Sequence, residues 1–210
     1  MMLAPQKITM TKRKRNQKGV DLIDKDVRLN TVDLEVRQLG EEKDPVIRGY
    51  ALKFDEPSED LGFTEYLDKR CLDNANMDNV VALLNHDTNY VLGRTGRNLK
   101  LQADDVGLFF EIEPNNTTYV RDLIENMKTG LIDKCSFAFT IPKGGDEWRE
   151  KDGRYERYIR QIDRLYDVSI VTTPAYNGTE ALVSERSKES LKNLENRDRE
   201  LEIMEMEMDL

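Results

Sequence analysis

The chain has 210 residues, 38% hydrophobic and 35% charged, with a net charge of −9, a balance that suits one polar globular domain with extensions. No run approaches the ~20 apolar residues of a membrane span, and the basic N-terminus has no apolar stretch behind it, so it does not read as a secretory signal. Two cysteines, Cys71 and Cys135, and a single histidine are too few for a disulfide framework or a zinc site; no metal or cofactor is expected, and both thiols are read as reduced in a cytosol.

Residues 1–31 are expected to form a basic, flexible arm, with Lys7, Lys12, Arg13, Lys14, Arg15 and Lys18 and no acid in the first 18. The apolar mass lies in residues 32–183, enough for one core. There, Asp33 to Leu39 alternates polar and apolar, the pattern of a half-buried strand, and Val46 to Phe54 is its expected partner. Phe63 to Leu67 reads as a short strand and Asp68 to Asp78 as a short helix or loop. Val80 to Leu84 is apolar at successive positions, as in a strand buried on both faces. Val91 to Thr95, Asn98 to Ala103 and Val106 to Glu113 are further strand candidates, with turns at Gly96 and Asp104-Asp105.

Thr117 to Lys128 predicts a helix: Thr117 or Thr118 can cap it, Val120, Leu123, Ile124 and Met127 share a face, and Gly130 follows the end. Cys135 to Ile141 is a strand stopped by Pro142 and two glycines; Trp148 to Ile162 is a hairpin about Asp152-Gly153; Asp163 to Thr172 is the last long strand. Many strands with one central helix argue for a mainly β fold with flanking helices, a barrel or sandwich. Residues 184–210 lack a broad apolar stripe and read as a charged tail, helical or disordered, solvated or bound to a partner.

The candidate chemistry begins with His86, at the end of the Val80–Leu84 run. Histidine is suited to moving protons near neutral pH, and acyl transfer needs a weak nucleophile, a base and a group that orients the base. Strand parity puts Cys135, Phe137 and Phe139 on one face and Ser136, Ala138 and Thr140 on the other, a small polar face fit for a substrate. The same parity groups Asp167 with Ser169 and Val171, away from Val168 and Ile170. Plainer readings stand beside these: Ser136 as an ordinary strand residue, His86 as a turn cap near Asp87 and Asn89, and Asp167 as a partner of Arg164 or Lys134. Cys135 is a rival nucleophile or, given its phenylalanine neighbours, a buried inert thiol.

The segments Val80-Val81-Ala82-Leu83-Leu84-Asn85-His86-Asp87, Val91-Leu92-Gly93-Arg94-Thr95, Cys135-Ser136-Phe137-Ala138-Phe139 and Leu165 to Tyr176 together resemble the prohead (head-maturation) protease family of tailed bacteriophages. Arg48-Gly49-Tyr50-Ala51 with Phe54 is similar to that family's opening strand, so the resemblance runs from about residue 33 to 183. It implies a relation to the herpesvirus assemblins, a β-barrel ringed by helices, and a serine endopeptidase with Ser136 as nucleophile and His86 as general base. Assemblins use a second histidine, absent here; phage relatives use an acid, which the resemblance places at Asp167, with Asp163 as fallback. Ala138 stands where the family motif often has glycine.

The resemblance further implies partners and place. These are the major capsid protein with its scaffolding segment, self-association, and the interior of an assembling procapsid in the bacterial cytoplasm. Residues 32–183 are then the protease domain, and the loop Thr173 to Asn177 a source of an oxyanion-hole N–H. A non-catalytic scaffolding or capsid-assembly protein with the same fold is the alternative. Nucleic-acid binding through Lys12-Arg13-Lys14-Arg15 is a third function, and the net charge of −9 argues against it as the main one.

Overall fold

The computed structural model describes residues 25–31, 34–37, 45–172 and 185–208. The basic residues of the first 18 and the loop Thr173 to Asn177 lie outside them.

The described residues form twelve strands and two helices, mainly β as expected. In chain order the strands are β1 (Asp26–Thr31), β2 (Glu35–Arg37), β3 (Val46–Lys53), β4 (Thr64–Leu67), β5 (Val81–Leu84), β6 (Asp87–Arg94), β7 (Leu99–Ala103) and β8 (Gly107–Ile112). Helix α1 (Thr118–Lys128) follows, then β9 (Lys134–Thr140), β10 (Asp146–Lys151), β11 (Arg154–Ile159), β12 (Arg164–Val171) and α2 (Glu185–Met208).

The strands make three sheets, ordered β1-β9-β12-β5-β6, β2-β3-β8-β7 and β10-β11-β4. Among the described residues the expected barrel does not close, because each sheet ends on edge strands that do not pair onward into a ring. In the five-stranded sheet β12 lies centrally, antiparallel to β9 and parallel to β5. Strands buried on both faces suit that position. The burial is nearly continuous along β9 and β12, as their apolar runs require.

Parity sets much of the core, with a register shift between Tyr50 and Leu52 in β3. Phe137 and Phe139 from β9, Ile47 and Leu52 from β3, and Leu108, Phe110 and Ile112 from β8 belong to one apolar cluster. Helix α1 closes it with Val120, Leu123 and Ile124. Each such side chain contributes about 1.5–3 kcal/mol by leaving water. Thr117 is the N-cap residue of α1, but its hydroxyl makes no capping bond and is buried without a partner among the described residues. The helix therefore rests on its packed face rather than on the expected cap.

One expectation about the ends changes. Residues 26–31, assigned to a flexible arm, form β1 and pair antiparallel along β9. Asp26 and Arg28 are each only 3% exposed. A hydrophobicity pattern reads such residues as surface, but here ionic partners replace water. Arg28 bonds bidentately to Glu65 at 2.6 and 2.8 Å and to Asp26 at 3.0 Å. Arg157 reaches the same Glu65 at 3.0 Å and Asp146 at 2.9 Å. The 184–210 tail is helical from Glu185 to Met208. Its first turn is tied to the domain, since buried Ser187 donates a 3.4 Å hydrogen bond to Asp26. Further along, the Tyr155 hydroxyl donates to Asp198 at 2.5 Å. Beyond these ties, Leu201, Ile203, Met204 and Met206 are exposed.

Candidate active site

Three neighbouring strands of the five-stranded sheet bring the candidate residues together. Ser136 lies on β9 and Asp167 on β12, whose register sets Ser136 opposite Ser169 and Ala138 opposite Asp167. A bulge between Leu165 and Asp167 shifts the β12 register just before the acid. Such a shift re-aims a side chain within a ladder.

His86 arrives by a tighter device. Asn85 and His86 are the two residues between β5 and β6, and both have positive φ, 53° and 55°. Two consecutive left-handed residues are the signature of a type I′ hairpin turn, which favours Asn first and Gly second. His86 occupies the glycine position at a cost in backbone strain, of the kind found where function holds a residue in place. Asn85 anchors the turn to β12. Its N–H donates to the Ile170 carbonyl at 2.9 Å, and its Oδ1 accepts from the Thr172 N–H at 3.0 Å. The imidazole is thereby fixed beside β12.

The resulting geometry is a linear relay. His86 Nδ1 lies 2.5 Å from Asp167 Oδ1, and His86 Nε2 lies 2.6 Å from Ser136 Oγ. With Nδ1–H donating to the carboxylate, Nε2 carries the lone pair that faces the serine hydroxyl. Ser169 Oγ donates to Asp167 Oδ1 at 3.0 Å and sits 3.2 Å from His86 Nδ1. It buttresses the carboxylate. Sequence reasoning placed Ser169 on the correct face of β12 but gave it no role. Its parity with Asp167 was the available signal.

The other candidates fall elsewhere. Asp163 accepts a 3.4 Å bond from Thr140 Oγ1; the acid that meets His86 is Asp167. Asp87 turns its carboxylate to Asn89, at 2.8 Å from both the backbone N–H and the side-chain amide. Cys135 points into the core with Phe137 and Phe139, and burial pushes its thiol up to about 12. A thiol so held stays protonated at neutral pH and is a poor nucleophile. Cys135→Ala is therefore expected to keep cleavage within about twofold of the parent and to cost about 1 kcal/mol in packing. Peptide-cleavage rates and thermal melts of the purified variant check both. A dead Cys135→Ala beside an active Ser136→Ala would identify a thiol enzyme instead.

The polar face of β9 was expected to lie open to substrate. Instead Ser136 is fully buried. Its hydroxyl donates to the Arg28 carbonyl oxygen at 2.8 Å, because β1 has paired along the edge of β9. One hydroxyl proton thus has two acceptors within reach, Arg28 O and His86 Nε2.

A family model described as caudovirus prohead serine protease matches residues 32–194. Among solved structures, that of the bacteriophage T4 capsid assembly protease matches with a TM-score of 0.43 and 12% identity, over 70% of this chain and 99% of that one. No curated protein sequence matches the chain.

Proposed function

Because the chain belongs to the caudovirus prohead serine protease family, we propose that it hydrolyses peptide bonds with Ser136 as nucleophile, His86 as general base and Asp167 as the orienting acid. Its proposed substrates are the scaffolding part of the phage capsid protein and the chain itself, inside the assembling procapsid. The observation that carries this reading is the Ser136–His86–Asp167 relay at 2.6 and 2.5 Å. A weak alcohol, a neutral imidazole and a carboxylate in that order are what acyl transfer requires.

His86 Nε2 takes the hydroxyl proton as Ser136 Oγ attacks the scissile carbonyl carbon, giving a tetrahedral oxyanion. The imidazolium, stabilised by Asp167, then protonates the departing amine, and an ester on Ser136 remains. Water enters with His86 again as base, and hydrolysis of the ester returns the free serine. Ser169 holds the Asp167 carboxylate during the charge change.

Co-expression with the capsid protein, followed by mass spectrometry of the fragments, tests the reading. Discrete capsid fragments that vanish in an inactive variant support it. An intact capsid protein beside a folded, properly encapsidated wild-type chain removes it. In the same assay Asp167→Asn should lower the rate by about 10³- to 10⁴-fold, because an amide lets the wrong imidazole tautomer form. Asp163→Asn should change it less than about threefold. The reverse ranking would move the third role to Asp163.

A further inference from the structure

We infer that β1 is a built-in substrate mimic that closes the active site, and that the pocket holding Arg28 reads a basic side chain on the acyl side of the cleaved bond, with Glu65 as its specificity-determining residue. The inference rests on Ser136 being the nucleophile.

Three features converge on it. First, β1 is an extended strand laid antiparallel on the exposed edge of the nucleophile's own strand. Adding a strand to a sheet edge is a general way for a protein to hold a peptide through its main chain. Second, the Arg28 carbonyl is brought to the serine hydroxyl, 2.8 Å from Oγ. A hydroxyl that donates to a carbonyl oxygen lies at the oxygen end of the bond, away from the carbon it would attack. The strand is held as an inhibitor, and it spends the proton that Ser136 would give to His86.

Third, the Arg28 side chain fills a charged pocket. Its fork grips Glu65 through Nε at 2.6 Å and through a terminal nitrogen at 2.8 Å, the bidentate geometry by which guanidinium recognises carboxylate. Burial opposes the guanidinium charge, yet Glu65 and Asp26 hold its pKa above the ordinary value. Without β1 the network keeps Glu65, Arg157 and Asp146, and Glu65 loses the guanidinium fork that its carboxylate grips. Asp26, two residues before Arg28, also reaches Arg157 at 3.5 Å, so an acid at that place adds a second recognition point.

The strand must leave before a protein substrate enters, because Ser136 is fully buried beneath it. The substrates that replace it carry arginine at the position of Arg28, preferably with an acid two residues earlier.

The test uses the full chain and a small fluorophosphonate, with labelling of Ser136 followed by peptide mass spectrometry. Arg28→Glu sets a third acid beside Glu65 and Asp26, and Arg28→Ala removes the anchor more gently. Both are expected to label about tenfold or more faster than wild type, since local opening then limits the reaction less. The Arg28→Glu chain should hydrolyse an acetyl-Asp-Val-Arg coumarylamide about 100-fold better in kcat/KM than the Asp-Val-Leu analogue. Adding Glu65→Gln should remove most of that preference while leaving the labelling rate high.

Equal labelling of Ser136 in wild type and in both variants overturns the inhibitory strand while leaving the triad standing. Fast labelling without an arginine preference overturns the pocket. Unfolding of both variants, seen by circular dichroism, makes β1 an integral strand and overturns the proposal as well. A folded Arg28→Glu chain whose Ser136 never labels removes the nucleophile itself, and with it the proposed function.

Discussion

Replacing Ser136 with alanine is expected to lower the cleavage rate by about 10⁵- to 10⁶-fold, the scale seen when a serine nucleophile is removed from a working relay. The hydroxyl is the atom that would bond to the substrate carbonyl, and it lies 2.6 Å from the imidazole nitrogen that would receive its proton. No neighbour can replace it. Cys135 faces the opposite side of β9 with its thiol pushed up to about 12, and Ser169 is engaged with Asp167. The fold should survive, because alanine fits a fully buried strand site without adding volume. What is lost is the hydroxyl's bond to the Arg28 carbonyl and its contact with His86 Nε2, worth about 1 kcal/mol each. Capsid-protein fragments quantified by mass spectrometry, beside a thermal melt, read both effects. A variant that melts normally and still cuts at the parental rate would end the assignment of Ser136.

Much of this site was legible in the sequence, for reasons that differ by element. The period-2 alternation of Cys135 to Thr140 separated Ser136 from the phenylalanines, and the structure keeps that separation, with Phe137 and Phe139 in the apolar cluster. Asp167 and Ser169 share a face by the same rule, although the bulge after Leu165 interrupts the parity just before them. The resemblance supplied what parity lacks, namely which side chains belong to one site. The β9-β12-β5 order depends on long-range pairing that no local pattern encodes.

β1 was not legible. Asp-Val-Arg-Leu-Asn-Thr alternates charged and apolar residues like an exposed edge, and its burial depends on Glu65 and Arg157, 37 and 129 residues away in the chain for Arg28. Burial bought by ion pairing is invisible to hydropathy. The same blindness hid the closed state of the nucleophile. Parity could say which way Ser136 points, but not what lies across it. The turn at Asn85-His86 is a third case: an Asn-Gly pair would have announced a hairpin, whereas histidine at the glycine position disguises it.

Substituting His86 is expected to be as damaging as substituting Ser136, and the double variant no worse than either. The two side chains act in one proton transfer, so once either is gone the other has little left to contribute. Alanine alone is an incomplete probe, because residue 86 sits at φ 55°. A non-glycine residue without a local hydrogen bond pays about 1–2 kcal/mol in that region. His86→Ala should therefore melt lower than the parent, while His86→Gly, free of the left-handed penalty, should recover much of that stability. Neither should recover cleavage. The measurements are initial rates on a capsid-derived peptide and melts of the three chains. Additive losses in the double variant, or cleavage restored by glycine at position 86, would assign His86 to the turn and not to the chemistry.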